Sequence, residues 1–392
     1  MREPVSQHTS SADSFSFKSG ALAAMIAVAC IVEVVIYLGP FFINSMVNRF
    51  AVEQGSAGFV VSVELVALAL ASGILAKRVL DVPARKVAFF SLLLAATANL
   101  LSFHVADFSV FVVTRMVAGI GGGCALAIAT SMATRAANPH KVYATVTFMA
   151  IMAAVILFSS IPPAVPLLGS GAVYLCLAGL TFLVVAVTVW FPDWHETETK
   201  SEKVTGPETS RRLERYDALI LLSIGGMYLA QAMVWPYVER IGDSIDLSMQ
   251  TIGTVLSVTA LISLLGPATA HYLNDRLGLL APTLTALGLQ LIATLCLALS
   301  HSLFYYSVSA VLMTTAFTFA VPYLKGLVAR SARAPRLAST SIALVTLCGA
   351  LGPGVSGMVL NLGGNYTVIG FLSVAVFLAA MYAAKAAVRE LD

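Results

Sequence analysis

Charged residues are scarce in this sequence. Of its 392 residues, 11% are Asp, Glu, Lys or Arg and 58% are hydrophobic, and the mean hydropathy is +0.88. A soluble globular domain has about 25% charged residues, so a soluble fold of this length would lack the polar side chains needed to cover its surface. The composition therefore excludes a soluble enzyme, a nucleic-acid-binding protein and a disordered scaffold. It predicts an all-α membrane protein with many spans.

Grouped thiols and nucleotide-binding loops are also missing. Each of the five cysteines lies inside an apolar run, and none is close to another, which argues against a disulfide framework or a zinc site. The phosphate-binding pattern Gly-x-x-x-x-Gly-Lys-Ser/Thr does not occur, which argues against ATP-driven transport by this chain. We expect neither a metal nor a cofactor. The cysteines are Cys30, Cys124, Cys176, Cys296 and Cys348.

Twelve apolar runs are long enough to cross a bilayer, for which a helix needs about 20 residues. The predicted spans are 19–44, 55–77, 84–104, 107–134, 141–166, 170–191, 216–240, 248–274, 279–300, 302–330, 335–361 and 365–388. The longest polar stretch divides them into two groups of six. The predicted organisation is an N-terminal tail 1–18, a first six-helix bundle 19–191, a central loop 192–215, a second six-helix bundle 216–388 and a tail 389–392.

Lys and Arg collect on one side of the predicted spans. That side holds the tails, the central loop and the breaks after spans 2, 4, 8 and 10, whereas the opposite breaks hold only Arg49 and Arg240. Because basic loops are retained on the cytoplasmic side, we expect both termini to be cytoplasmic. The expected location is a bacterial inner membrane, with the lipid bilayer as a partner and no nucleic acid.

The two halves of the sequence resemble each other. Matching short motifs stand at matching places of the two groups of spans, so the halves predict a parallel repeat about an axis normal to the membrane. Such a duplication builds one cavity between two similar bundles. The matched residues are Pro40 with Pro236, Gly58 with Gly253, Ser62 with Ser257, and Leu168-Gly169 with Leu362-Gly363.

Two loops carry a further motif. After span 8 stands Asp-Arg-Leu-Gly, and after span 2 a Gly and an Arg stand at comparable places, with Lys77 at the position of the Asp. With the twelve-span plan, this pattern resembles the major facilitator superfamily, in which these loops latch the bundles during alternating access. The resemblance implies a monomeric secondary transporter with the major facilitator fold. The residues expected to form the latch are Gly73, Arg78, Asp275, Arg276 and Gly278.

Span 4 contains Arg115-Met-Val-Ala-Gly119-Ile-Gly121, which is similar to a family motif linked to proton coupling. The Gly-Pro signature of drug antiporters in span 5 is absent, and Pro162-Pro163 stands there instead. The superfamily is therefore indicated, while uptake of a nutrient and export of lipophilic or cationic compounds both stay open.

Glu33, Glu64 and Arg115 are the Asp, Glu or Arg residues placed well inside the predicted spans. Intramembrane charge costs at least about 2.5–3.5 kcal/mol and usually marks function. Counting from the helix ends places the three at similar depth, with two carboxylates for one guanidinium, so one carboxylate is left free to carry a proton. The resemblance favours Glu33, because the first helix of the family lines the cavity, and Glu64 as the partner of Arg115; the reverse assignment stays open, as does a purely structural salt bridge.

Span 7 presents an aromatic and amide face suited to orienting an organic solute. Trp235, near its end, fits the aromatic belt of the membrane interface equally well.

The sequence predicts that a small organic solute moves together with protons. Metal-ion import is the alternative suggested by thirteen Met residues, although these lack His or Cys neighbours at ligand spacing. The residues expected to line the cavity are Tyr37, Tyr228, Gln231, Trp235 and Phe317.

Overall fold

The computed structural model describes residues 19–136, 138–192, 215–273, 276, 278–331 and 334–390. Twelve helical segments in this part of the chain are long and apolar enough to cross a membrane. The first bundle consists of α1 (Ser19–Tyr37), α2 (Gly39–Phe50), α3 (Gln54–Ala76), α4 (Ala84–His104), α5 (Phe108–Ala133), α6 (Pro139–Leu168) and α7 (Ala172–Val187). The second consists of α8 (Arg215–Val234), α9 (Val238–Asp243), α10 (Met249–Ser263), α11 (Leu265–Leu273), α12 (Leu280–Ala298), α13 (Leu303–Ala329), α14 (Ala334–Asn361) and α15 (Tyr366–Arg389).

The first span of each bundle is broken at its matched proline. The single helix predicted over 19–44 is instead α1 followed by α2, with Pro40 in the first turn of α2. In the second bundle a 3-10 turn around Pro236 separates α8 from α9. Proline has no N–H to donate and its ring clashes with the preceding turn, so each helix restarts there. The two breaks touch each other, since a Cβ on Gly39 would lie 3.5 Å from the Cβ of Pro236.

The two ends of the bundles differ in sequence character. We call one of them the closed end; it contains the loops around 51–53, 105–107, 169–171, 244–248, 299–302 and 362–365. We call the opposite one the basic end; it contains Lys77, Arg78, Arg135, Arg276 and Arg330. At the closed end, side chains of Asp107, Ser248 and Asn365 accept hydrogen bonds from backbone N–H groups and cap α5, α10 and α15. The repeat is visible here too, because the matched Gly169 and Gly363 turn the chain with φ of 77° and 84°.

Matched glycines and prolines bring the two bundles together. Gly58 of α3 lies against α14, where an added Cβ would be 2.7 Å from the carbonyl oxygen of Pro353. Gly253 of α10 lies against α6, where an added Cβ would be 2.6 Å from Cγ of Pro162. Both distances are shorter than any side chain tolerates, so this approach of the helices requires glycine at both positions.

Hydrogen bonds join the bundles in the half nearer the closed end. The Ser62 hydroxyl accepts from the Gly354 N–H at 2.6 Å, and the matched Ser257 is 2.9 Å from the Ser159 hydroxyl. Further along α3 towards the basic end, nothing lies within 4 Å of an added Cβ at Gly73. The helices of the two bundles therefore meet at the closed end and diverge towards the basic end.

Candidate functional site

Arg115 of α5 is held inside the first bundle. Its side chain is 1% exposed, and Nη1 lies 3.4 Å from Oε1 of Glu64 on α3, which is also buried. Nη2 donates a 2.6 Å hydrogen bond to Oδ1 of Asn99 on α4. The carboxylate that pairs with Arg115 is thus that of Glu64. Together with the hydrogen bond to Asn99, this ion pair joins α3, α4 and α5.

Aromatic rings surround this ion pair. The Arg115 guanidinium carbon lies 4.9 Å from the centroid of the Tyr174 ring, 5.9 Å from that of Phe42 and 6.0 Å from that of Phe111. Such cation–π contacts stabilise a desolvated guanidinium by about 1–2 kcal/mol. The rings bury the guanidinium, so the pair lies inside the first bundle rather than at a surface where a solute could reach it.

A cavity of about 20 Å³ adjoins the pair between α1, α3, α4, α5 and α7, and Glu64, Asn99 and Thr181 supply its polar lining. This volume is enough for about one water molecule. On α1 it is lined by Ile31, Val32 and Val35. The site inside the first bundle is therefore closed to anything larger than water.

Glu33 lies on the other face of α1. It is two residues from both Ile31 and Val35, which corresponds to about 200° around a helix, so its side chain points away from Glu64. Its carboxylate interacts with the Thr147 hydroxyl on α6 and with the positive charge of Lys325 on α13, in the second bundle. The three charges that the sequence placed at one depth are thus divided between an intrabundle pair and a carboxylate between the bundles.

Aromatic side chains gather near Glu33. Tyr37, one turn further along α1, and Tyr228 of α8 both interact electrostatically with the Glu33 carboxylate. The Tyr228 ring packs edge-on against Phe317 of α13 at 5.1 Å between centroids. Gln231, one turn beyond Tyr228, is buried and its Oε1 has no hydrogen-bond partner. Four of the five residues predicted to line the cavity therefore come from the helices that flank Glu33.

Trp235, the fifth, lies at the closed interface. It is 8% exposed, its indole N–H donates to the Ile36 carbonyl oxygen at 3.3 Å, and its ring packs edge-on against Phe158 of α6 at 6.4 Å. The ring bridges the two bundles beside the Pro236 break, rather than lying at the lipid surface.

Comparison with known proteins agrees with this architecture. The sequence model of the Major Facilitator Superfamily matches residues 21–357. The chain belongs to the major facilitator superfamily. The crystal structure of a point mutant of the nucleoside transporter NupG has a similar fold, with a TM-score of 0.73 and 13% sequence identity over 93% of this chain and 99% of that one. No curated protein sequence matches the chain.

Membership of the major facilitator superfamily makes the protein a multi-pass membrane transporter and not an enzyme. Its surface agrees with a bilayer environment, because large apolar side chains such as Phe90, Ile156 and Leu183 are 63–67% exposed. In water such a surface would aggregate. Among the residues that the structure describes, no three His, Cys, Asp or Glu side chains are grouped as metal ligands would be.

The predicted latch residues lie at the basic end and are not brought together in the described structure. Gly73 borders open space and Arg78 is exposed. Arg276 stacks on Tyr272 of its own bundle at 5.5 Å, and Gly278 turns the chain with a φ of 65°. Asp275 lies outside the described residues. This arrangement fits a conformation in which the basic ends are apart.

Sequence reasoning missed three polar side chains. Lys325 reads as a lysine that extends to the membrane surface; it is exposed, and the sequence did not show that its charge also acts on the Glu33 carboxylate. Asn99 carries no distinguishing motif. Glu239 falls at the predicted end of span 7, but it is only 2% exposed because the break at Pro236 turns α9 into the protein. The repeat offered one signal, since Pro236 aligns with Pro40 and marks a helix that restarts inside the bundle.

Proposed function

We propose that this protein is a proton-coupled secondary transporter of a small organic solute, with Glu33 as the proton-carrying residue. The observation that carries the proposal is the position of Glu33: it is partly buried on α1, and its carboxylate interacts electrostatically with exposed Lys325 on the opposite bundle. Arg115 already neutralises Glu64 within the first bundle. Of Glu33 and Glu64, Glu33 is therefore the carboxylate whose surroundings change when the bundles move.

Coupling follows from the fact that the two charges sit on different bundles. In a low-dielectric cavity the attraction between a carboxylate and an ammonium is several times stronger than in water. When the bundles rock and Glu33 and Lys325 separate, the ionised carboxylate loses this attraction and uptake of a proton replaces it. A solute that binds between the bundles alters the same balance, so solute and proton movement become linked.

The surrounding side chains suggest the class of solute. Tyr37, Tyr228 and Phe317 offer ring faces for stacking, and the free amide oxygen of Gln231 accepts a hydrogen bond. A planar ring that carries hydrogen-bonding groups matches this lining. Nucleosides have both features, and the likeness of fold to a nucleoside transporter makes them the first solutes to test.

We further propose that the basic end faces the cytoplasm of a bacterial inner membrane and that the monomer transports. The excess of Lys and Arg at that end supports this orientation. It predicts that a cysteine introduced at exposed Glu53 reacts with an impermeant thiol reagent added to intact cells, and that one at exposed Arg78 does not.

The test uses purified protein in liposomes that contain a pH-reporting dye. Nucleosides, organic cations and organic acids are added in turn to the wild type, to Glu33→Gln and to the exposed-carboxylate control Glu53→Gln. We expect solute-triggered proton movement in the wild type and the control, and its loss in Glu33→Gln. Labelled solute that crosses Glu33→Gln liposomes with unchanged rate and pH dependence would overturn the role of Glu33.

A further inference from the structure

Glu239 is a buried carboxylate that has no ion-pair partner in the part of the chain that the structure describes. It lies on α9, is 2% exposed, and its Oε2 has no hydrogen-bond partner. The neighbouring guanidinium of Arg240 is directed elsewhere, with Nη1 3.0 Å from Oδ2 of Asp243 and 3.2 Å from Oδ1 of Asn44. Burial of an ionised carboxylate without a partner is costly, so this site favours the neutral acid.

The surroundings of Glu239 supply little compensating charge. Several helices pack against α9. Among them, α10 has no ionisable residue, and the single ionisable residue of α12 is Cys296, which is exposed. The single ionisable residue of α2 is Arg49, whose guanidinium donates hydrogen bonds to the carbonyl oxygens of Ser102 and Val105 rather than to Glu239. The preceding turn contributes Tyr237, whose hydroxyl donates to the Pro353 carbonyl oxygen. The ionisable groups that face Glu239 are Arg240, Asp243, Tyr306 and Tyr366.

Two of these groups, Arg240 and Tyr366, belong to the contact that seals the closed end. Arg240 bonds to Asn44 of the first bundle, and the two residues occupy matched places four positions after their prolines. The Tyr366 hydroxyl donates to Oε1 of Gln54, also in the first bundle, and shares a hydrogen bond with Arg240. Glu239 interacts with both Arg240 and Tyr366, and its helix α9 packs on α2 of the first bundle. We therefore expect opening of the closed end to expose its carboxylate to water.

We propose that Glu239 is a proton-binding residue of the closed gate, distinct from Glu33. It takes up a proton from the solution at the closed end when that end shuts, and returns the proton to the same solution when that end opens and water reaches the carboxylate. The proposal does not depend on the role of Glu33. It predicts that the gate is linked to pH on its own side of the membrane.

Double electron–electron resonance measures this linkage directly. Spin labels are placed at the exposed closed-end positions Glu53 and Ser244, one in each bundle, after the five native cysteines are replaced, and the protein is studied in lipid nanodiscs. In the wild type, a higher pH should shift the distances towards the open form, by up to about tenfold in the closed-to-open ratio per pH unit, which is the limit for one linked proton. In Glu239→Gln, which mimics the neutral acid, the short distance should dominate at every pH.

Two controls separate this site from other carboxylates. Asp246→Asn, at an exposed position of the same end, and Glu33→Gln should both keep the pH response of the wild type. Distances that do not change with pH in the wild type would overturn the proposal, and this measurement does not require the variant to fold. A wild-type pH response that persists in Glu239→Gln would overturn it as well, and would leave the liposome test of Glu33 unaffected.

Discussion

The two bundles agree in how they touch each other and differ in what they bury. At the interface, Gly58 and Gly253 occupy matched places and each packs on a proline-containing helix of the other bundle. Inside the bundles the match ends. Glu64 pairs with Arg115 in the first, whereas its counterpart in the second, Thr259, is fully buried with a hydroxyl that has no hydrogen-bond partner.

This difference separates the contacts that let the bundles move, which both bundles share, from the buried charges, which differ between them. The repeated contacts allow the bundles to rock about a shared interface, a task that both halves share. The ion pair stiffens the first bundle alone, because it ties α3, α4 and α5 together. In the second bundle, neutral side chains such as Thr259, Gln290 and Thr294 are buried, and among the described residues no buried ion pair ties its helices together. We therefore expect the first bundle to be the more rigid of the two, and the second to change shape more easily during transport.

The largest expected effect comes from breaking the ion pair. In Arg115→Met the Glu64 carboxylate stays buried without its partner, which costs about 3–5 kcal/mol. We expect a strong loss of thermal stability in detergent and of expression in membranes. The change in the second bundle at the position that matches Glu64, Thr259→Val, removes a buried hydroxyl that has no hydrogen-bond partner, so it should leave stability unchanged or slightly higher.

The double variant Glu64→Gln/Arg115→Met provides the control for this comparison. It removes both charges, so more than half of the lost stability should return. If the double variant is as unstable as Arg115→Met alone, the packing of Arg115 against Tyr174, Phe42 and Phe111 matters more than its charge, and the electrostatic comparison of the bundles fails.

A medium effect is expected from filling the interface glycines. Gly58→Leu and Gly253→Leu both place atoms where backbone or proline atoms of the other bundle lie at the closed end. Such overpacking costs about 1–3 kcal/mol, in the closed form only, and lowers the closed-to-open ratio by about one to two orders of magnitude. Spin-label distances across the closed end measure this ratio. Because the two sites are matched, the two variants should behave alike.

Gly73→Leu is the control on the same helix as Gly58. Its added side chain meets open space in this conformation, so the closed form should persist. A large effect of Gly58→Leu but not of Gly253→Leu would show that the contact of α3 with α14 dominates closure, and that the two halves of the interface are not equivalent.

The sequence predicted the number of spans and the parallel repeat, because each follows from local composition and spacing. It matched Gly58 with Gly253 and Ser62 with Ser257, but it did not predict that these residues lie at the interface between the bundles. It did not separate Glu33 from Glu64. Depth was counted along the helix axis, whereas the separation comes from the azimuth around α1, which places Ile31 and Val35 on the opposite face from Glu33. Glu239 and Lys325 were missed for a related reason. Their surroundings depend on a helix break and on a contact between distant helices, and neither leaves a local periodic pattern.

The smallest expected effect tests whether the hydrogen bonds follow the same symmetry as the glycines. Ser62→Ala removes the acceptor of the Gly354 N–H, and Ser257→Ala removes the hydroxyl that meets Ser159 and the Val155 carbonyl oxygen. Each neutral hydrogen bond contributes about 0.5–1.5 kcal/mol, so each variant should lower the closed-to-open ratio by about two- to twelvefold in the spin-label measurement. Exposed Ser160, adjacent to Ser159 on α6, bonds within its own helix, so Ser160→Ala should change nothing. Equal shifts for the two interface serines would extend the repeat from backbone packing to hydrogen bonding, whereas a shift in only one would confine the symmetry of the gate to its glycines and prolines.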